Sequence, residues 1–198
     1  MSKSWLWIGL ALAVAIFVYL AQEPNQPPPG IIAARAPEQT AVDHPPIRID
    51  EYQIFPVASF SLEARVLGRE DYSMDREADL APTDLAFGWG PMSDTAILEH
   101  FDISQSGRWY RWYADELPLT RKTVETHSAN MHLVPASETV ADELDDVEEN
   151  DLVRLDGFLI NVVADDGWRW NSSLTRTDTG GGACELIYVT DLLVIARP

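Results

Sequence analysis

A cysteine nucleophile needs a histidine within hydrogen-bond reach to hold it as thiolate, and donors for the oxyanion that forms. The chain has one cysteine, Cys184, in the stretch DTGGGACE. A suitable histidine lies in SANMHLVPA, where strand alternation places Asn130, His132 and Val134 on one face and Met131 and Leu133 on the other. Cys184, His132 and Asn130 thus make a chemically sensible catalytic trio, with Arg176 available to an oxyanion. The competing expectation is that Cys184 opens a strand and packs as a small hydrophobe while His132 caps an edge.

Other chemistries of this stretch fail on context. Asp-Thr-Gly is the aspartic-protease triplet, but it should follow an apolar strand, and here Arg176 and Thr177 precede Asp178. There is no second triplet. A phosphate-binding P-loop needs a Lys after its glycines and a helix next, whereas Glu185 and an apolar strand follow. Ser172 and Ser173 sit in no G-x-S-x-G elbow. Exported sortases use His, Cys and Arg on a β-barrel, but their Cys ends a Thr-Leu-x-Thr type strand and precedes the Arg, which GGGACE does not match. No paired cysteines and no H-E-x-x-H occur, so neither a metal nor a cofactor is expected. The glycines are expected to turn a hairpin, with 168–176 going up and 184–197 coming down.

The aromatic residues offer a binding reading. In RWYRWY, alternation turns Trp109, Arg111 and Tyr113 one way and Arg108, Tyr110 and Trp112 the other. One face must be core; the opposite one presents flat rings and guanidinium forks to a glycan or peptide. Trp168, beside Arg169, and Arg176 extend the set. The candidate binding residues are therefore Trp109, Arg111, Trp112, Trp168 and Arg176.

Several elements must position these groups. The segment 52–68 alternates at Phe60, Leu62, Ala64 and Val66 as a long half-buried strand does, with Pro56 bending its start. A short helix is expected after a cap at Ser93 or Asp94, and another over 137–147, capped by Ser137, with Val140, Leu144 and Val147 at helical spacing. Strands are expected at 108–115, 128–136, 151–163 and 184–197, with DDG turning the chain at 165–167. The fold expectation is mainly β with two short helices (α+β): a small, partly closed OB-like β-barrel or sandwich.

Charge and hydropathy bound the partners. The net charge is −18, and every acid lies after residue 21, so phosphate backbones are repelled and nucleic acid is excluded as a ligand. The acidic run 141–151 lacks the spacing of a calcium loop and suits a solvated helix face. Residues 5–21, WLWIGLALAVAIFVYLA, carry no charge. At ~1.5 Å per residue they span roughly 25 Å, near the ~30 Å of a hydrocarbon core. Tyr19 is too large for the −3 position of a cleavage after Ala21. Lys3 precedes the run and no basic residue follows before Arg35, which keeps the N-terminus inside and exports the rest.

The stretches GWGPMSD, RWYRW, SANMHLVPA and DGWRWNSSLTRTDTGGGACE resemble an uncharacterised bacterial family with one N-terminal membrane helix. That resemblance implies a location and no activity. The expected organisation is a cytoplasmic tip (1–4), a single-pass anchor in the bacterial inner membrane (5–21), a Pro-rich linker (22–50) and an exported, periplasmic domain (51–198). The expected role is non-catalytic binding of a protein, glycan or peptide of the envelope. The alternative is a cysteine-dependent hydrolase or transpeptidase acting on envelope peptides.

Overall fold

The computed structural model describes residues 25–175 and 184–198. The membrane-helix expectation at 5–21 lies outside these, as does Arg176. Among the described residues no helix is long and apolar enough to cross a membrane.

The fold is mainly β. Its strands are β1 (Glu38–Ala41), β2 (Ile47–Ile49), β3 (Tyr52–Asp71), β4 (Thr83–Gly88), β5 (Asp102–Ser106), β6 (Trp109–Tyr113), β7 (Ser128–Pro135), β8 (Leu152–Ala164), β9 (Arg169–Asn171) and β10 (Glu185–Ala196). Among the described residues three short helices join them: α1 (Thr95–Leu98), α2 (Arg121–His127) and α3 (Glu138–Asp145). Short 3-10 turns occupy Arg76–Asp79 and Gly90–Ser93. Strand β3 pairs with β4, β4 with β7, β7 with β10 in parallel, β10 with β8, and β8 again with β3. These pairings form a ring. Strands β1 and β2 extend β3 at its first half, β9 extends β8, and β5 and β6 make a separate hairpin.

Long β3 serves two cores because it is bulged. Its register against β8 slips between Pro56 and Ala58, and the extra residue reverses which face each side chain takes. Beyond the slip, Phe60, Leu62, Ala64 and Val66 point into the ring, where they meet Leu85, Phe87, Met131, Leu133, Val153, Leu155 and Ile187. Before it, Tyr52 and Ile54 pack on the outer face with Val134, Ile160, Val162, Leu186, Leu80 and Ala81. Helix α3 closes one end of the ring with Val140 and Leu144, and its start is capped by the Ser137 hydroxyl accepting from the Val140 amide. A third cluster sits under the β5–β6 hairpin, where Ile103, Tyr110 and Trp112 meet Leu67, Ala86, Met92 and Val124.

Three expectations are corrected. The described part of the expected Pro-rich linker, residues 25–50, is docked on the domain: residues 27–33 bond to the Ser93–Thr95 region, and β1 and β2 pair with β3. Its prolines leave enough free amides for pairing along the edge of β3 that faces away from β8 in the strand's first half. The arms flanking the glycines are not a two-stranded ladder either. Strand β9 folds back on β8, while β10 runs between β8 and β7, and the arms meet only locally, as in the Ser173 amide donating to the Cys184 carbonyl. Helix α2 is a third helix; the Thr120 hydroxyl, accepting from the Thr123 amide, starts it despite its β-branched content.

The ring is tight where β8 passes between β3 and β10. A Cβ on Gly157 would stand 2.2 Å from the Tyr188 carbonyl oxygen and 3.1 Å from the Val189 Cα. Both obstacles are backbone, so no rotamer relieves them. Gly157→Ala is expected to cost about 2–3 kcal/mol, in the upper range for overpacking. A lowered urea midpoint at unchanged slope reads this out, and an unshifted midpoint would contradict the tight ladder.

Candidate functional site

Strand β4 is buried along its whole length, and Asp84 lies within it, fully buried, on the outer face of the ring. An isolated carboxylate there carries a desolvation cost far above any single hydrogen bond, so it is stable only when fully paired. Three donors meet it. Arg108 Nη1 and His132 Nδ1 donate to its Oδ1 at 2.8 Å and 2.9 Å, and Asn130 Nδ2 donates to its Oδ2 at 3.1 Å. The β4–β7 register sets Asp84 against His132 and Ala86 against Asn130, which explains why both β7 side chains reach the same acid. Gln105 of β5 completes the chain by donating to Asn130 Oδ1 at 2.7 Å.

Arg108 reaches Asp84 from the hairpin turn. Gly107 and Arg108 form the two-residue loop between β5 and β6, with φ of 56° and 69°. This is the backbone of a type I′ turn, natural for glycine and strained for arginine. The guanidinium compensates. It forms a forked pair with Asp75 at 2.9 Å and 2.7 Å, donates to the Ala81 carbonyl, and stacks 3.8 Å from the Tyr72 ring centroid. The Tyr72 hydroxyl accepts from the Arg108 amide. Arg108 thereby joins the hairpin, β4 and the β3–β4 connection. Burial works against its charge, but the hydrogen bonds and charge of Asp75 and Asp84 prevail and raise its pKa above the ordinary value.

Aromatic rings cover the network. Trp170 of β9 lies 5.0 Å from the His132 ring and 5.9 Å from the Arg108 guanidinium. Trp168 lies 6.0 Å from Trp170, with Arg76 4.8 Å above its ring, and Arg76 forms a forked pair with Asp166. Cations and rings thus alternate from the β3–β4 connection to the β8–β9 turn and lock these two segments together.

The structure places the sequence candidates differently. His132 and Asn130 share a face as expected, but both are committed to Asp84. In the parallel ladder the residue opposite His132 is Leu186, and Cys184 precedes the first paired residue of β10. Cys184 is half-buried and forms no disulfide. Trp109, Arg111 and Tyr113 face outward from β6, Trp109 at 45% and Tyr113 at 65% exposure. Trp112 faces inward. Its ring meets Phe101 edge-on at 5.8 Å, with Arg121 5.0 Å over it. Trp168 belongs to the cation–aromatic stack and is half-buried.

Asp84, Arg108 and Asp75 escaped sequence reasoning. The available signal was an acid in the apolar stretch TDLAFG, since Asp amid strand-forming apolar residues marks a paired buried charge. Among the described residues no group of three or more His, Cys, Asp or Glu is arranged to hold a metal. No family model, no curated protein and no solved structure matches this chain.

Removing one partner of a buried ion pair leaves the other charge uncompensated. Asp84→Ala and Arg108→Ala are each expected to cost about 3–5 kcal/mol, with the double variant costing much less than their sum. Additive losses in a urea double-mutant cycle would show that the pair is not coupled. Asp75 adds a pH dependence. Hydrogen bonds from Arg108 hold its carboxyl below the ordinary carboxylate value, so the folded chain binds that proton at lower pH than the unfolded one. Its stabilisation is complete above the unfolded value of about 3.9 and disappears as pH falls through the folded value. The melting temperature should therefore fall less steeply between about pH 5 and 2.5 in Asp75→Asn than in the parent; parallel curves would remove Asp75 from the acid transition.

Proposed function

We propose that this chain is a membrane-tethered, exported binding domain of the bacterial inner membrane, with its N-terminus in the cytoplasm, its body in the periplasm and no catalysis of its own. The observation that carries the reading is the β5–β6 hairpin: Tyr110 and Trp112 pack inward while Trp109, Arg111 and Tyr113 face solvent. Aromatic rings and an arginine held outward on a rigid ribbon suit capture of an envelope protein, glycan or peptide. The apolar run 5–21 and the resemblance to single-helix bacterial proteins support the location.

The ring supports an OB-type barrel as the finer architecture. Numbered within the ring, strands β3, β4, β7, β8 and β10 are first to fifth, with the third and fifth parallel and a helix, α3, between third and fourth. Such barrels take ligands on the face of their second and third strands and on the loops after the first and fourth. Here the second-and-third-strand face carries the Asp84 network under the hairpin, and the two loops are joined by Arg76, Asp166 and Trp168. Ligand contact is thereby transferred to the outer side of the hairpin.

The thiol-enzyme alternative requires His132 to serve Cys184. His132 donates its Nδ1 to Asp84, stands opposite Leu186 and has Trp170 against its ring, all of which favour a packing role.

Photocrosslinking from position 109 or 113 in the native membrane is expected to give one discrete adduct, reduced at least roughly tenfold by Arg111→Ala, consistent with a central contact residue. Crosslinks that are diffuse, or indifferent to Arg111, would defeat the binding reading. Alkylation of Cys184 separates the alternative. Packing predicts labelling that rises only near the ordinary thiol pKa of about 8.5 and does not depend on His132. Rapid labelling at neutral pH that is lost in His132→Ala would restore the enzyme.

A further inference from the structure

Residues 27–33 are latched onto the domain by backbone hydrogen bonds to a buried polar floor. The Thr95 hydroxyl donates to the Pro27 carbonyl at 2.7 Å, and Asp94 accepts from the Gly30 amide at 2.8 Å. The Ser93 hydroxyl accepts from the amides of Ile32 and Ala33 at 3.2 Å and 3.1 Å, and the Gly90 amide donates to the Ala33 carbonyl at 2.7 Å. Ala33 itself is fully buried in the main core. Below the strap, Arg65 is 1% exposed and donates to the Thr95 hydroxyl at 2.7 Å and forks onto Asn150 Oδ1. These strap hydrogen bonds thus end on Gly90, Ser93, Asp94 and Thr95, and Thr95 is itself held by Arg65.

The strap changes how far the domain stands from a bilayer. A free linker over 22–50 would extend roughly 90 Å at ~3.1 Å per residue. With Pro27 fixed, only residues 22–26 separate the apolar run from the barrel. Six Cα steps reach at most about 22 Å, even fully extended. We propose that the strap seats the barrel on the lipid surface, with the Gly90–Leu98 end toward the headgroups and the opposite end toward the periplasm. The inference rests on the anchor reading of residues 5–21. Strand β3 gives the long dimension: Arg65 lies under the strap, and Tyr52 is 13 positions away along the strand, a path of roughly 40 Å at ~3.3 Å per residue. The β2–β3 and β8–β9 turns, with Glu51, Asp165 and Asp166, therefore point away from the membrane. The partner surface is the bilayer itself, and the strap fixes which side of the domain remains open to other molecules.

The test uses the full chain in lipid vesicles. A fluorophore is attached at Glu99→Cys, beside the strap, or at Glu51→Cys, at the far end, both exposed positions, in a Cys184→Ser background with an unchanged melting temperature. Some lipids carry a quencher on the headgroup. Quenching several-fold stronger at 99 than at 51 is the expected result. A flexible insert of 20 Gly and Ser residues after Ala21 should then bring the two positions close to equal without touching the folded domain. Equal quenching in the chain without the insert overturns the seating while leaving the anchor intact, provided the chain floats with the vesicles. A chain that does not float with them overturns the anchor reading and this inference together.

Discussion

The carboxylate of Asp84 constrains more of this structure than any other single group. A charge without solvent contact must be met by donors at every lone-pair direction that matters, and here they come from β7 and from the hairpin turn. His132 and Asn130 hold the register of β4 against β7, because a slip by one residue would turn both side chains into the ring interior. Arg108 fixes where the hairpin lies. Its left-handed backbone is uphill by about 1 kcal/mol or more, and a guanidinium bonded to two acids and a carbonyl outweighs that strain. An apolar substitute of similar size would save desolvation but remove the bonds to Asp75, Ala81 and Asp84, leaving Gln105 as a polar tie from the hairpin to β7. The ion pair ties the hairpin turn to β4 and to the β3–β4 connection.

Closure of the ring imposes a second constraint, which β3 meets with bulges. A strand alternating evenly over its 20 residues would keep one face apolar throughout. The ring needs that face inside at Phe60–Val66, whereas the outer layer needs Tyr52 and Ile54 on the other side. The extra residue at Val57 reconciles them, and a second slip between Val66 and Gly68 turns the strand again as it meets β4. Tyr52 is thereby available to bond Asp79 and to sit beside Arg76 and Trp168. The same bulge that lets β3 serve the ring supplies one wall of the cation–aromatic stack.

What the sequence disclosed was local. Alternation in 128–136 correctly grouped His132 with Asn130, alternation in RWYRWY separated Trp109 from Trp112, and Ser137 marked the start of α3. Each signal sits within a few residues of its effect. The parts that were missed depend on partners far away in the chain. Asp84 is intelligible only beside His132 and Arg108, and the 27–33 strap only beside Ser93 and Thr95. Proline content misled about residues 25–50 because composition reports the preference of an isolated chain, and a strap with its amides paired on a preformed floor overrides that preference. The glycine arms misled for a related reason. Proximity in sequence suggested a hairpin, whereas β10 gains more by filling the gap between β8 and β7 and closing the ring.

Rigidity connects the buried network to the exposed face. Binding to a flexible ribbon loses affinity to the ordering of backbone and side chains, about 0.5–1.5 kcal/mol for each long side chain immobilised. In this hairpin much of that ordering is accomplished on folding. Arg108 fixes the turn, Tyr110 and Trp112 hold the inner face, and Arg111 is already bonded to Ser106. Tyr113 is oriented by its bond to Asp115. The backbone that carries Trp109, and the side chains of Arg111 and Tyr113, are consequently ordered on folding. Under the proposed binding role, the buried acid on one side of the hairpin thus acts on the opposite side by lowering how much ordering a partner would require.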